Sequence, residues 1–210
     1  HFELGKCYVS QGQFSIADER FASAVRLDTD YGKKISGIYK TAGYNAVDRG
    51  EANNAIGFFN KAIQFEQNIR GEVVSNLFPK AKAFVEKGSY GLADTRFAVV
   101  VNLDQSYKRE ACQLYGELGN KASDANSITF YGRASQYCSD YNEKAGNRYL
   151  AIAKELGKKP GKEAETVKYK NAATQFLGAT SVENAMPSTV IYQPGTYNFK
   201  LKAGEQTDHW

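Results

Sequence analysis

The chain has 210 residues, 42% hydrophobic and 24% charged, which is an ordinary soluble balance with enough length for one sizeable core or one domain with an appendage. The formal net charge of +4 is too mild for the clustered basic signature of a nucleic-acid-binding protein. No apolar run approaches the roughly 18 residues that cross a bilayer, so we expect no transmembrane segment.

The first predicted elements occupy residues 4–28, "LGKCYVSQGQFSIADERFASAVRLD", in which small residues stand among aromatic ones. The first helix carries Gly5 beside larger residues. Gly12 stands where the chain must turn, since glycine tolerates dihedral angles that other residues avoid. The second helix places small and aromatic residues on one face at a period of 3.6 residues, namely Ala17, Phe21 and Ala24. We therefore predict a helical hairpin.

The same spacing recurs along the chain at steps of 38 residues. The recurring residues are Gly12, Gly50 and Gly88 at the turn, and Ala17, Ala55 and Ala93 with Phe21, Phe59 and Phe97 on the second helix. A fourth copy is weaker, because the step from Val100 to Ala134 shrinks to 34 residues. Two helices approach closely only where a side chain is nearly absent, so each ring is expected to fill the hole left by an alanine or glycine of its neighbour.

These residues, with endings such as "AVRLDTDY" and "VVNLDQSY", resemble the tetratricopeptide repeat (TPR) family. The resemblance covers residues 1–141 well and 142–177 loosely. It implies an all-α, right-handed superhelix of four to five antiparallel helix pairs. The family's proline near each repeat end is absent, so Asp30 or Ser106 is expected to cap the next helix. The family's tryptophan is also absent, and the residues expected in its place are Tyr39, Leu77 and Ala111.

The family's usual period is 34 residues, so the 38-residue step here implies four extra residues, or about one helical turn. We expect the first helix of the second and third repeats to start one turn early, within "YGKKISGIYK" and "IRGEVVSNLF". Pro79 then either kinks that helix or marks its true start.

The predicted domain organisation is a TPR-like α-solenoid over residues 1–177, followed by a linker and β-rich tail over 178–210. The repeats span approximately 1–31, 32–69, 70–107 and 108–141, with a degenerate helix pair over 142–177 joined by "GKKPGK". In the tail, "TVIY" and "TYNFKLK" flank the turn signal "QPG", which predicts a short C-terminal β-hairpin or strand appendage. A two-stranded ribbon is not stable alone in water. We therefore expect this tail to be the start of a further module or, alternatively, an assembly element that exchanges strands between subunits.

The resemblance implies a non-enzymatic scaffold that binds a partner protein or peptide segment in the concave groove lined by the first helices. Candidate groove residues are those not spent on packing between helices: Lys6, Lys40, Lys82 and Arg109 as cations, Tyr44 and Phe78 as stacking or apolar anchors, and the polar Ser10, Asp48, Glu86 and Asn120. The cations favour an acidic or carboxylate-bearing partner. The alternative interpretation is a solvated helix face on which lysines provide solubility.

A second class of function is a structural, self-assembling subunit that forms an oligomer or filament through its repeat surfaces and β tail. Catalysis is not expected, because the only histidines, His1 and His209, lie next to the chain ends and no phosphate-cradling glycine loop precedes a helix. No metal or cofactor is expected either. The basic stretch between Lys154 and Lys170 contains interleaved glutamates, which favours exposed ion-paired helices over a nucleic-acid partner.

Three cysteines, Cys7, Cys112 and Cys138, are an odd number at wide spacing, which is neither a disulfide framework nor a metal-site pattern. The interpretation that we favour is semi-buried thiols on helices. The alternative is that Cys112 and Cys138 face each other across one helical hairpin and form a disulfide. TPR-like modules joined to β segments resemble bacterial cell-envelope proteins, which favours an extracytoplasmic over a cytoplasmic location.

Overall fold

A computed structural model of the chain describes residues 1–186, which form eleven α-helices and no strand. The helices are α1 Phe2–Ser10, α2 Phe14–Leu27, α3 Tyr31–Asp48, α4 Ala52–Phe65, α5 Ile69–Glu86, α6 Tyr90–Leu103, α7 Lys108–Lys121, α8 Asp124–Ala134, α9 Asn142–Gly157, α10 Glu163–Leu177 and α11 Ala179–Ala185. A short 3-10 turn, Gln105–Tyr107, precedes α7. The predicted all-α class is confirmed for these residues, and the predicted β-hairpin lies outside them.

The chain divides into two compact units. Among the described residues, the first contains His1–Glu117 and Arg133–Ser139, and the second contains Leu118–Gly132 and 140–186. In the first unit, helices that are adjacent in sequence pack as pairs, α1 with α2, α3 with α4 and α5 with α6. In the second unit, α9 packs on α10 and α10 contacts α11. The part of the chain predicted as a linker thus includes a short helix, α11, because Val182 is buried beside Leu150 and Ala173.

The turns inside the first three hairpins share one geometry. Gly12, Gly50 and Gly88 have φ angles of +73°, +79° and +74°, in the left-handed region that favours glycine. In the first turn, the Gly12 N–H donates to the Val9 carbonyl at 3.0 Å and the Gln13 N–H donates to the Tyr8 carbonyl at 2.9 Å. This is the Schellman arrangement that satisfies the last carbonyls of a helix. The predicted role of the three glycines is confirmed.

The predicted packing of small residues against rings is also confirmed. A Cβ added at Gly43 would lie 2.5 Å from a ring carbon of Phe59, and Gly5 lies equally close against Phe21. In the third hairpin Ala81 replaces the glycine and is fully buried. The second-helix residues of the pattern, Ala17, Ala55 and Ala93 with Phe21, Phe59 and Phe97, are all buried. The first two hairpins are therefore closed by the same contact between a glycine and a ring, and the corresponding residues of the third are buried.

The first helices of the second and third hairpins start early, as predicted. Helices α3 and α5 each contain 18 residues and begin at Tyr31 and Ile69, within the two predicted stretches. Pro79 lies inside α5, so the interpretation that it marks the helix start is wrong. The reason is that Ile69, Val73 and Leu77, spaced one turn apart ahead of Pro79, are all buried and hold that part of the chain in the helix.

The turns between hairpins are set by residues other than those predicted. Asp30 precedes α3 but its side chain makes no capping hydrogen bond. Instead, Asp28 Oδ1 accepts from the Asp30 N–H at 2.9 Å, and Asp104 Oδ1 accepts in the same way from the Ser106 N–H at 2.9 Å. Asp28 and Asp104 have extended backbones, from which a short carboxylate reaches the N–H two residues ahead.

A disulfide joins Cys112 on α7 to Cys138, just after α8, with the two Cα atoms 5.9 Å apart. The favoured interpretation of free thiols is therefore wrong for this pair, because the fourth hairpin brings the two side chains together across 26 residues of sequence. Cys7 is free and exposed. The rings of Tyr115 and Tyr137, which are close in sequence to the two cysteines, stack with their centres 6.4 Å apart.

Removing this disulfide should destabilise the first unit. A bridge over this length of chain stabilises by about 3–4 kcal/mol, because it restricts the unfolded chain. We expect the Cys112→Ala, Cys138→Ala double variant to lose about that much in a urea unfolding experiment. Cys7→Ala serves as the control and should change stability by less than about 0.5 kcal/mol. Equal stability of the double variant and the wild type would contradict the bridge.

Candidate functional site

The cations predicted to line a groove are mostly engaged by glutamates. The pairs are Lys6 with Glu3 at 3.0 Å, Lys40 with Glu72 at 2.9 Å and Lys82 with Glu110 at 3.0 Å. Arg109, the fourth predicted cation, is exposed on α7. Because the paired charges neutralise each other, these lysines give the surface less positive character than the sequence predicts.

The two predicted aromatic anchors occupy different environments. Phe78 is only 7% exposed, and its ring lies 5.8 Å from Phe97 and 4.6 Å from Tyr107. It therefore belongs to the core and offers little surface to a partner, contrary to the prediction. Tyr44 is half-buried, with its ring edge-on to Phe59 at 5.2 Å. Tyr44 remains available at the protein surface.

A recess of about 620 Å³, here called the α1–α3 recess, lies between the first helices of the first two hairpins. Its floor includes the rings of Phe14 and Phe58, which lie 4.5 Å apart. Its polar lining includes Thr41 and Asn45 on α3. Such a surface, with an apolar floor and a hydrogen-bonding rim, suits an apolar side chain carried by a peptide.

A second recess of about 250 Å³, here called the α3–α5 recess, follows between the first helices of the second and third hairpins. Its lining residues are Tyr44, Asp48, Glu72, Asn76, Leu77, Lys80 and Arg96. Of the predicted groove residues, Tyr44 and Asp48 meet here, and Lys40 binds Glu72 at 2.9 and 3.1 Å. Burial, and then the charge of Glu72, raises the pKa of Tyr44, so its hydroxyl is held in the protonated form that can donate.

The sequence prediction missed Arg96, which projects from the second helix α6 into the wall of this recess. It is 5% exposed, and its Nη2 donates to Asp48 Oδ1 at 2.8 Å while Nη1 donates to the Leu92 carbonyl at 3.0 Å. Its guanidinium also lies 4.6 Å from the ring centre of Phe84. The sequence contains a signal that could have identified this arginine. An arginine directly precedes the repeated phenylalanine in the first and third hairpins, as Arg20 and Arg96.

Two junctions between hairpins are bridged by a buried tyrosine and a carboxylate. The Tyr39 hydroxyl donates to Asp18, to which Lys61 also donates. The second bridge is made by Tyr115 and Arg133, which donate to Asp94 at 2.5 and 2.9 Å.

At the intervening junction, between the second and third hairpins, apolar residues stand in place of this tyrosine, carboxylate and lysine. At the corresponding positions, 38 residues after Asp18, Tyr39 and Lys61, stand Ile56, Leu77 and Val99, and the last two are buried. Tyr115 stands 38 residues after Leu77, as Leu77 stands 38 residues after Tyr39. Tyr115, and not Ala111, therefore occupies the corresponding position in the fourth hairpin. The error arose because the weaker fourth copy was aligned one turn too early.

In the second unit, the basic stretch carries ion pairs along its helices. Lys158 donates to Glu155 at 2.6 Å and Lys162 donates to Glu165 at 2.5 Å. These pairs are three residues apart rather than the expected four. The interpretation as exposed ion-paired helices is consistent with this arrangement.

Within residues 1–186, no group of three or more His, Cys, Asp or Glu side chains is placed to hold a metal ion. Every helix in that part of the chain is too short or too polar to serve as a membrane span. Among known proteins, no family model matches the sequence and no curated protein matches it at a significant level.

The buried tyrosines predict a loss of stability at alkaline pH. Burial, with the hydrogen bond and charge of the partner aspartate, raises the pKa of Tyr39 and of Tyr115 above the ordinary value of 10.0. The folded protein thus keeps both protons while the unfolded chain releases them near pH 10, so the stabilisation is complete below pH 10 and is lost above it. We expect urea unfolding to report a decline of about 1 kcal/mol per tyrosine between pH 9 and 11.

The control is the Tyr39→Phe, Tyr115→Phe double variant, which lacks both ionisable hydroxyls. It should be less stable than the wild type at pH 8, because two hydrogen bonds are lost, yet its stability should fall less steeply above pH 10. Identical slopes for the two proteins would contradict the assignment.

Proposed function

We propose that this chain is a TPR-like, right-handed solenoid of antiparallel helix pairs that acts as a non-enzymatic scaffold for a partner protein or peptide segment. The repeated contact between a small residue and a ring, and the repeated glycine turn, support the TPR-like interpretation. In a solenoid of this kind the first helices line the inner, concave surface.

The observation that carries the proposal is the succession of two recesses along the first helices α1, α3 and α5. In a TPR-like superhelix they would be consecutive parts of one groove. The larger recess has an apolar floor at Phe14 and Phe58, where a partner's apolar side chain would leave water. The smaller one offers hydrogen-bonding groups, among them Tyr44 and Asn76, that would fix the orientation of the partner.

Recognition in such a groove is non-covalent. Burial of one or two anchoring side chains would supply most of the affinity, and the polar lining would set register and direction. The engaged lysines contribute little in this proposal, since Lys40 and Lys82 already have glutamate partners at 2.9 and 3.0 Å.

Blocking the recesses should abolish partner binding. Thr41→Arg places a long charged side chain in the α1–α3 recess, and Asn76→Arg does the same in the α3–α5 recess. Asn60→Arg, an identical change at an exposed position on the second helix α4, is the matched control. The measurement is affinity capture from the native source with the purified chain, quantified by mass spectrometry.

We expect at least one captured protein to fall tenfold or more with each groove variant and to persist with Asn60→Arg. If the amount of every captured protein is unchanged by all three substitutions, or falls equally with all three, the groove is excluded as the binding surface. Light scattering of the purified chain tests the self-assembling alternative. Mass that grows with concentration, and that stops growing in the groove variants, would assign the recesses to contacts between copies.

A further inference from the structure

Arg96 is a buried cation whose hydrogen bonding is incomplete. Its side chain is 7% exposed, and its Nη2 is bonded to Asp48. Its buried Nε makes no hydrogen bond with any of the described residues. A guanidinium pairs most strongly with a carboxylate when two of its N–H groups donate side by side to the two oxygens. Asp48 accepts only from Nη2, so this two-point pairing is not formed.

Asp48, the partner of Arg96, can break this ion pair at a small cost in free energy. Its side chain is 72% exposed, so it is already largely hydrated. Arg96 is in the opposite position, because a buried guanidinium without a counter-charge is costly. The pair therefore combines a fixed, buried cation with a mobile, solvated anion, an arrangement in which an incoming carboxylate can replace the resident one.

The α3–α5 recess beside Arg96 has the charge to accept that carboxylate. The other carboxylate in its lining, Glu72, is held by Lys40 at 2.9 Å. Lys80 lines the same recess and donates to the neutral Asn76 Oδ1 at 3.0 Å. Once Asp48 moves away, the recess therefore presents Arg96 and Lys80 as cations with no competing free carboxylate in its lining.

We propose that Arg96 binds an aspartate or glutamate side chain of the partner segment by exchanging Asp48 for it, and that Asp48 is a resident competitor which weakens this binding. This inference rests on the proposed function, and it names the acidic residue that the partner must carry. Leu77 and the half-buried ring of Tyr44 line the same recess and would contact the residues that flank it. The occupant is therefore a peptide and not a free small carboxylate.

The test follows the Nε–H resonance of Arg96 in ¹H–¹⁵N spectra of the full chain, assigned by its absence from Arg96→Lys. The probes are the blocked tripeptide acetyl-Ala-Glu-Ala-amide, its glutamine analogue, and acetate, at constant ionic strength. Asp48→Asn removes the resident carboxylate. The matched control is Asp30→Asn, the same substitution at an exposed aspartate that does not line the α3–α5 recess.

We expect the glutamate peptide to shift the Arg96 resonance saturably, with at least fivefold tighter binding to Asp48→Asn than to the wild type. Asp30→Asn should bind within twofold of the wild type, and the glutamine peptide should leave the resonance in place. An unmoved resonance in Asp48→Asn, or equal affinity of Asp48→Asn and the wild type, would overturn the exchange. Acetate that binds as tightly as the peptide would overturn the assignment to a peptide.

The affinity capture described above separates this inference from the function on which it rests. If a partner is lost with Asn76→Arg but retained with Arg96→Lys, and Arg96→Lys unfolds at an unchanged temperature, the inference fails and the scaffold function stands. If no captured protein depends on the recesses, the scaffold function itself fails.

Discussion

The contact between a glycine on one helix and an aromatic ring on the next is the constraint on which the first two hairpins depend. At Gly43 the Phe59 ring occupies the volume that a Cβ would need, and Gly5 and Phe21 repeat the arrangement. Because the ring lies against backbone, the two helices of a hairpin approach closely over one turn and their separation is fixed.

A second layer of order joins one hairpin to the next. Tyr39 and Tyr115 each donate to an aspartate of the preceding hairpin, whereas the buried Leu77 occupies the corresponding position at the middle junction. The tyrosine–aspartate bond thus recurs at every second junction, whereas the turn glycines recur in each of the first three hairpins. Arg20 and Arg96 follow the same double period, with the apolar Phe58 between them. The result is that the α3–α5 recess contains a buried arginine that the neighbouring hairpin does not supply.

The hairpins were predictable from the sequence because the contacts that make them are short in range. Gly50, Ala55 and Phe59 stand within one hairpin, and their spacing reflects helical periodicity and the dihedral freedom of glycine. The extra turn of α3 was predictable for the same reason. Phe78 was misassigned because its environment depends on Tyr107, which lies beyond the following helix.

The chemistry of the site was harder to predict because it depends on partners far apart in sequence. Lys40 reads as a free cation until the fold places Glu72 beside it, 32 residues later. Arg96, on the third hairpin, donates to Asp48 of the second hairpin, 48 residues earlier. Cys112 and Cys138 are joined across the fourth hairpin. The sequence repeat is weaker there, and the alignment of its first helix was wrong by one turn. In each case the residue type was visible in the sequence, but its counterpart was set by packing between helices.

The most direct measurement of the central contact compares two glycine-to-alanine substitutions. Gly57 lies in α4 with nothing near its missing Cβ, so Gly57→Ala should raise the free energy of unfolding by up to about 1 kcal/mol through helix propensity. Gly43→Ala should lower it by about 1–3 kcal/mol, because the methyl group meets the Phe59 ring, and the loss should shrink in a Phe59→Leu background. If Gly43→Ala stabilises the protein as much as Gly57→Ala does, the ring does not lie against that glycine and the account is wrong.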